Sequence, residues 1–320
     1  MKILIASSIY AGALEKLRAQ HDIICAFNAK QDELKSLIVD REVLIFRSGV
    51  QITAGVMECA PHLKLLLRAG SGIDNLDVDY VRERHLQLVR IPGPGAKAVA
   101  EMSFALMLAL SRNILEADRL TRQGRWAKQE LTGYLLRGKV LGIVGAGNIG
   151  SLTGSMGAAW GMEVLGCVER PTSATSERLR EKSIRLATFD EVVSQSDYVS
   201  LHVPLSEKTR HMINAEVLAR MKPGAFLINL ARGGVVDEAA LYEALASGHL
   251  RGAGMDVHAA EGPGKISPLA GLNNVILTPH IGAGAFDSQR EIGEIILDTI
   301  ETFMRSGVEY VNGHVPVTVI

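Results

Sequence analysis

"GKVLGIVGAGNIG", residues 138–150, decides the fold. Val140 to Val144 read as a short apolar strand, and the residues that follow, "SLTGSMGAAWG", have the small side chains of a tightly packed helix. Between strand and helix, Gly145, Gly147 and Gly150 stand in a G-x-G-x-x-G spacing, with Asn148 and Ile149 in its last gap. The first glycine permits a tight turn, the second lets a pyrophosphate approach the backbone, and the third lets helix and strand pack closely. The helix N-terminus then faces the phosphate charge. The spacing alone also suits any glycine-tolerant turn, but the strand before it and the helix after it favour a dinucleotide site.

Such a site calls for an acidic residue about 20 positions further on, at the end of the next strand, to bind the adenosine ribose hydroxyls. The stretch "GMEVLGCVERP" supplies Glu169, nineteen positions after Gly150, with Arg170 beside it. A carboxylate there disfavours a 2′-phosphate and an arginine favours one. NAD is therefore the expected cofactor, and NADP is the alternative that Arg170 admits. Arg170 also reads as an ordinary solvated loop charge.

The same rhythm runs outward in both directions. Downstream lie "EVLGCV", "YVSLHV", "AFLINLA", "GAGMDV" and "VILTP"; upstream lie "KILIA", "IICAF", "VLIFR", "LKLLLRA" and "LQLVRI", each separated by amphipathic stretches. Alternating strands and helices specify an α/β chain of two Rossmann-like, doubly wound parallel-sheet domains. The stretch "IPGPGAKAVAE", residues 91–101, interrupts the rhythm with Pro92, Gly93, Pro94 and Gly95, and is expected to be irregular and to mark a domain boundary. One long helix should follow and stop at Gly124, serving as connector and subunit-interface arm. A last helix from Asp287 leads to the tail "VEYVNGHVPVTVI", expected to return to the first lobe.

Composition narrows the partners. With 34 Lys+Arg against 35 Asp+Glu, the net charge of −1 offers no basic field for nucleic acid or an anionic membrane surface. Cys25, Cys59 and Cys167 are far apart and in no metal-ligand spacing, so neither a disulfide framework nor a metal site is expected, and a cytoplasmic location is. The opening "MKILIASSIY" is too short an apolar stretch for a signal peptide. No apolar run approaches the ~18 residues of a membrane span.

Three polar groups follow apolar strands at the ends where α/β folds bind ligands: Arg232 after "AFLINLA", Glu261 shortly after "GAGMDV", and His280 after "VILTP". Each alone also reads as ordinary: an arginine paired with a nearby acid, a solvated glutamate, a strand-capping histidine. Together they meet the needs of reversible hydride transfer at a 2-hydroxy acid. A planar guanidinium grips a carboxylate, an imidazole moves the hydroxyl proton near neutral pH, and a carboxylate keeps that imidazole protonated to higher pH. On this reading Arg232 is left without a protein partner so that a substrate anion can supply one.

The stretch "HVPLSEKTRHMINAEVLARMKPGAFLINLARGGVVDEAAL", with "GAGMDV", "LTPHIGAG", "LLRGKVLGIVGAGNIG" and "RAGSGIDNLDV", resembles the D-isomer-specific 2-hydroxyacid dehydrogenase family over nearly the whole chain. The resemblance implies that Arg232 binds the substrate carboxylate and carbonyl, that His280 gives and takes the proton, and that Glu261 is its partner. Asp256 would contact the nicotinamide carboxamide, while His202, Val203, Pro204, Leu230, Ala231 and Gly282 would line the cofactor cleft. The loop holding Ser71 and Gly72 would cradle the substrate carboxylate, although it also reads as a plain turn. Arg47 sits where phosphoglycerate-type members meet a distal anion, or is a surface charge. Residues 1–96 with 288–320 would form a flavodoxin-like substrate-binding domain and 97–287 the NAD-binding domain, with the active site in the cleft between them and homodimerisation through the helix from Val99.

The chain departs from its relatives at Gly95, where many carry asparagine, at Gly262 in place of proline, and at Val168, the usual ribose-binding aspartate position. These changes bear on substrate identity and cofactor preference and leave the chemistry as it is; the substrate would be a small 2-hydroxy or 2-keto acid such as 3-phosphoglycerate, glycerate, hydroxypyruvate or glyoxylate. The alternatives are an NAD(H)-sensing corepressor-like protein, which keeps the same three residues, and a relative acting on formate or phosphite.

Overall fold

The computed structural model describes residues 1–306 and 318–319. Its strands in chain order are β1 (Lys2–Ile5), β2 (Asp22–Cys25), β3 (Val43–Phe46), β4 (Leu65–Arg68), β5 (Gln87–Arg90), β6 (Val140–Val144), β7 (Glu163–Cys167), β8 (Arg185–Leu186), β9 (Tyr198–Leu201), β10 (Phe226–Asn229), β11 (Gly252–Met255), β12 (Val275–Leu277) and β13 (Thr318–Val319). The chain divides into two compact units, Met1–Ala98 with Ala283–Ile320, and Val99–Gly282. Both follow the α/β plan.

In the first unit the strand order is β13-β5-β4-β3-β1-β2. Strands β1 to β5 pair in parallel, and β13 joins the edge antiparallel to β5. Residues alternate between the two faces, as the strand period requires. Leu4, Leu44, Phe46, Leu66 and Leu88 pack with Val56 and Met57. Ile3, Ile5, Val43, Ile45 and Leu67 pack with Ile292, Ile296 and Ile300 of the helix Phe286–Ser306. Covering both faces explains why β3 and β4 read as unbroken apolar runs instead of alternating ones.

In the second unit seven parallel strands run β12-β11-β10-β9-β6-β7-β8. The order reverses between β6 and β9. At such a switch point the connections leave to opposite faces and open a crevice at the carboxyl ends of the strands. Leu165, Leu201, Leu227, Val235, Leu241 and Met255 belong to the core on one side.

Two sequence expectations need correction, and two details of the sheets were not anticipated. The stretch 91–101 is not irregular, because the helix Gly93–Ser111 begins inside it; a proline in the first turn loses no hydrogen bond, since that N–H has no intrahelical partner. The expected single long helix is two, Gly93–Ser111 and Ile114–Arg122, bent by 59° where Asn113 takes a left-handed conformation at φ 52°. The two-residue β8, too short for a sequence period, was not anticipated. The first sheet is not wholly parallel, because β13 runs the other way. Residues 307–317 and 320 of the expected returning tail lie outside the described residues.

Candidate active site

The glycine-rich turn sits at the end of β6. Gly145 has φ +91°, and a Cβ there would lie 2.8 Å from the His202 carbonyl oxygen and from Val203 Cγ1, so a side chain has neither the backbone conformation nor the room. The Gly145 and Ala146 N–H groups donate to the Cys167 carbonyl at 3.1 and 2.9 Å, which ties the turn to the end of β7. Gly147 precedes the helix Asn148–Ala159, and no side chain caps that helix. A Cβ on Gly147 would meet nothing within 4 Å. An uncapped twelve-residue helix N-terminus beside open space fits a pyrophosphate, which would take the orphan N–H groups of the first turn.

Other positions that the sequence assigned to the cofactor have the following surroundings. Glu169 is exposed and accepts a hydrogen bond from Lys208 Nζ at 2.8 Å. That bond and the charges of Lys208 and Arg170 hold its carboxyl below the ordinary range. The ring nitrogens of His202 are occupied differently: Nε2 lies 2.9 Å from Ser200 Oγ, while Nδ1 is buried with no hydrogen-bond partner. Burial pushes this imidazole down to about 4, so it is neutral at physiological pH. The Pro204 carbonyl accepts from Thr209 Oγ1 at 2.6 Å. Arg178, which no sequence signal singled out, donates from Nη2 to the Ala146 carbonyl at 3.1 Å.

Arg232, Asp256 and His280 follow β10, β11 and β12, three adjacent parallel strands, and so leave the sheet at the same edge. Leu230 and Ala231 are buried. Asn229, wholly buried, accepts from the Ala231 N–H through Oδ1 at 3.0 Å and donates through Nδ2 to the Arg232 carbonyl at 3.0 Å, fixing the turn from which the arginine projects. Arg232 Nη1 donates to the Ala231 carbonyl at 2.7 Å. The guanidinium is therefore not left without a protein partner, contrary to the sequence expectation; its own backbone aims it.

His280 is held in the left-handed region at φ 55°, a conformation that costs a non-glycine residue free energy and persists only where its surroundings enforce it. Asp256 does so. Its carboxylate is 1% exposed and accepts from Thr278 Oγ1 at 2.7 Å, the Ile281 N–H at 2.8 Å and the Gly282 N–H at 2.8 Å, so it grips the turn on both sides of the histidine. The His280 N–H itself donates to the Asp256 carbonyl at 2.7 Å.

The Glu261 carboxylate lies 2.9 Å from His280 Nδ1. Because a carboxylate accepts, Nδ1 carries the proton of this bond, and Nε2 is the ring atom left for chemistry. Burial raises the Glu261 carboxyl, but the hydrogen bond and charge of His280 and the His258 N–H outweigh it and hold the group below the ordinary range. The loop carrying Glu261 is anchored by groups the sequence did not reveal. His258 Nε2 donates to the Thr278 carbonyl at 3.0 Å, and the buried Glu238 accepts from the Ala259 N–H at 2.7 Å. Among the described residues, no group of three or more His, Cys, Asp and Glu side chains could hold a metal ion.

The first unit holds the remaining candidates. Arg47 follows β3, is half-buried, and has its basicity lowered by that burial. Its N–H donates to Ser7 Oγ at 3.0 Å and its carbonyl accepts from Asn75 Nδ2 at 3.0 Å. Ser71 is exposed and Gly72 half-buried in the loop after β4.

Residues 104–282 match the family model of the D-isomer specific 2-hydroxyacid dehydrogenase, NAD binding domain. A hydroxypyruvate reductase of Thermotoga maritima is 39% identical over 273 residues, 85% of this chain and 87% of that protein. A D-3-phosphoglycerate dehydrogenase of Methanocaldococcus jannaschii is 37% identical over 95% of this chain, which spans 58% of that longer protein. The crystal structure of D-lactate dehydrogenase from Aquifex aeolicus complexed with NAD and lactic acid superposes with a TM-score of 0.81, at 30% identity, covering 95% of this chain and 96% of that one.

Proposed function

The chain belongs to the D-isomer specific 2-hydroxyacid dehydrogenase family, NAD(H)-dependent oxidoreductases, and we propose that it interconverts a small 2-keto acid of the hydroxypyruvate, glyoxylate or phosphohydroxypyruvate type with its D-2-hydroxy acid. The observation that carries this reading is the His280–Glu261 pair at 2.9 Å, on the same sheet edge as Arg232. Nicotinamide, when bound, supplies or accepts the hydride at the substrate's C2. The chain's own residues do the rest. Arg232 binds the carboxylate and the C2 oxygen with a fork of N–H donors. His280 Nε2 gives its proton to that oxygen in reduction and takes it back in oxidation, while Glu261 stabilises the charged ring between the two steps. Asp256 keeps the histidine turn in place.

We assign the N–H groups of the Ser71–Gly72 loop to the substrate carboxylate as well, and Arg47 to a distal anionic group. Glu169 supports NAD through the ribose hydroxyls. Arg170 supports NADP as a second cofactor, because Lys208 already balances the Glu169 charge. Ile114, Leu115, Trp126 and Leu135 are exposed apolar side chains on the arm after Ser111, and support a homodimer through that segment. Three free cysteines support a cytoplasmic location.

The test is a panel of glyoxylate, hydroxypyruvate, pyruvate, aromatic 2-keto acids and phosphohydroxypyruvate, each with NADH and NADPH. Turnover of at least one of these, abolished in His280→Ala while NADH still binds, is the expected result. Tight NADH binding with no turnover across the panel would refute the enzyme and favour a sensor.

A further inference from the structure

Arg68 and Arg90 are buried or half-buried cations that the reading above leaves unused. Arg68 ends β4 and Arg90 ends β5, and the parallel register sets them side by side. Arg68 is 3% exposed, with its guanidinium carbon 5.8 Å from the centroid of the Phe46 ring. Two like charges held next to each other in the protein cost free energy, so their partners identify what they are for.

Among those partners are three carbonyls of one loop. Arg68 Nε donates to Gly72 O at 2.8 Å and Nη1 to Ala69 O at 3.3 Å. Arg90 Nη1 donates to Ser71 O at 3.3 Å, and its Nε is buried with no hydrogen-bond partner. In a planar trans peptide the N–H points opposite the preceding C=O. Turning the carbonyls of Ser71 and Gly72 onto the arginines therefore turns the N–H groups of Gly72 and Ile73 the other way. Gly70 completes the arrangement: it has φ +154°, and a Cβ there would lie 2.8 Å from Arg68 Nη1. The loop presents N–H donors on the side away from the two guanidinium groups, the arrangement an incoming carboxylate needs.

We propose that Arg68 and Arg90 are positioning residues for substrate recognition: they hold the Ser71–Gly72 loop with its N–H groups outward. This rests on the assignment of that loop to the substrate carboxylate. Arg68→Gln, Arg90→Gln and Gly70→Ala perturb the template in three separate ways, and the latter two keep the test open if Arg68→Gln fails to fold. In each, KM for the best 2-keto acid should rise about tenfold or more, with kcat within about threefold and NADH affinity unchanged, the scale of misplacing one charge-assisted hydrogen bond. Arg68→Lys, which keeps the charge but not the fork, should recover only part of the loss. A structural role alone would lower the melting temperature and leave KM in the folded enzyme untouched.

Oxamate binding to the NADH-loaded protein, followed by fluorescence, separates this idea from the functional reading. Oxamate affinity that falls in the variants supports the template even if the wild type turns over no substrate. Folded variants with wild-type KM and wild-type oxamate affinity overturn it, and so does a wild type that binds no oxamate.

Discussion

Replacing Glu261 with glutamine keeps the shape of the His280–Glu261 pair and removes its negative charge. Glu261 and His280 are 2.9 Å apart, with side chains 40% and 29% exposed, so water reaches both. At a water-like dielectric, two unit charges at that separation attract by about 1.4 kcal/mol, and any partial exclusion of water increases this. The attraction exists only while the imidazole is protonated. In oxidation the ring becomes charged as it takes the hydroxyl proton, so losing that attraction should slow oxidation by about tenfold, the rate equivalent of about 1.4 kcal/mol. Steady-state kcat/KM for oxidation of the D-2-hydroxy acid, with NADH binding as the control for folding, gives the answer. Wild-type kcat/KM in Glu261→Gln would refute the role given to this pair.

Two further outcomes follow from the geometry. The His202 imidazole is held down at about 4, against 6.5 in the unfolded chain, so the unfolded state takes up the proton first as pH falls. Stability should drop through the window from about 6.5 to about 4, by about 2 kcal/mol between pH 7 and pH 5. His202→Asn should abolish that component in urea titrations, and an unchanged pH dependence would refute it. Gly145→Ala places a Cβ 2.8 Å from the His202 carbonyl oxygen at a φ of +91°. Strain of order 1–3 kcal/mol should lower the melting temperature and weaken NADH binding; wild-type values for both would show that the turn relaxes freely.

The sequence was most legible where chemistry and local backbone geometry coincide. The G-x-G-x-x-G turn is written in residue types because only glycine meets the steric demand at Gly145. Arg232, Glu261 and His280 could be named because few other side chains carry those charges at strand ends. The boundaries were less legible. Pro92 and Pro94 looked like an interruption, yet a helix starts there, since first-turn N–H groups have no intrahelical partners to lose. The break at Asn113 had no periodicity to announce it.

What the sequence determined by itself was the alternation of strands and helices, the dinucleotide turn and the charged residues that follow the strands, all properties of short windows of chain. Only the tertiary structure decided how those groups are held. The three donors on Asp256 come from Thr278, Ile281 and Gly282, the Ala259 N–H finds Glu238, and the loop carbonyls of Ser71 and Gly72 find Arg90 and Arg68. Most of these partners are more than fifteen positions apart and meet because parallel strands set side by side bring their ends to one edge. A side chain chosen to satisfy a distant backbone group leaves no local pattern, so its purpose appears only once the sheet has formed.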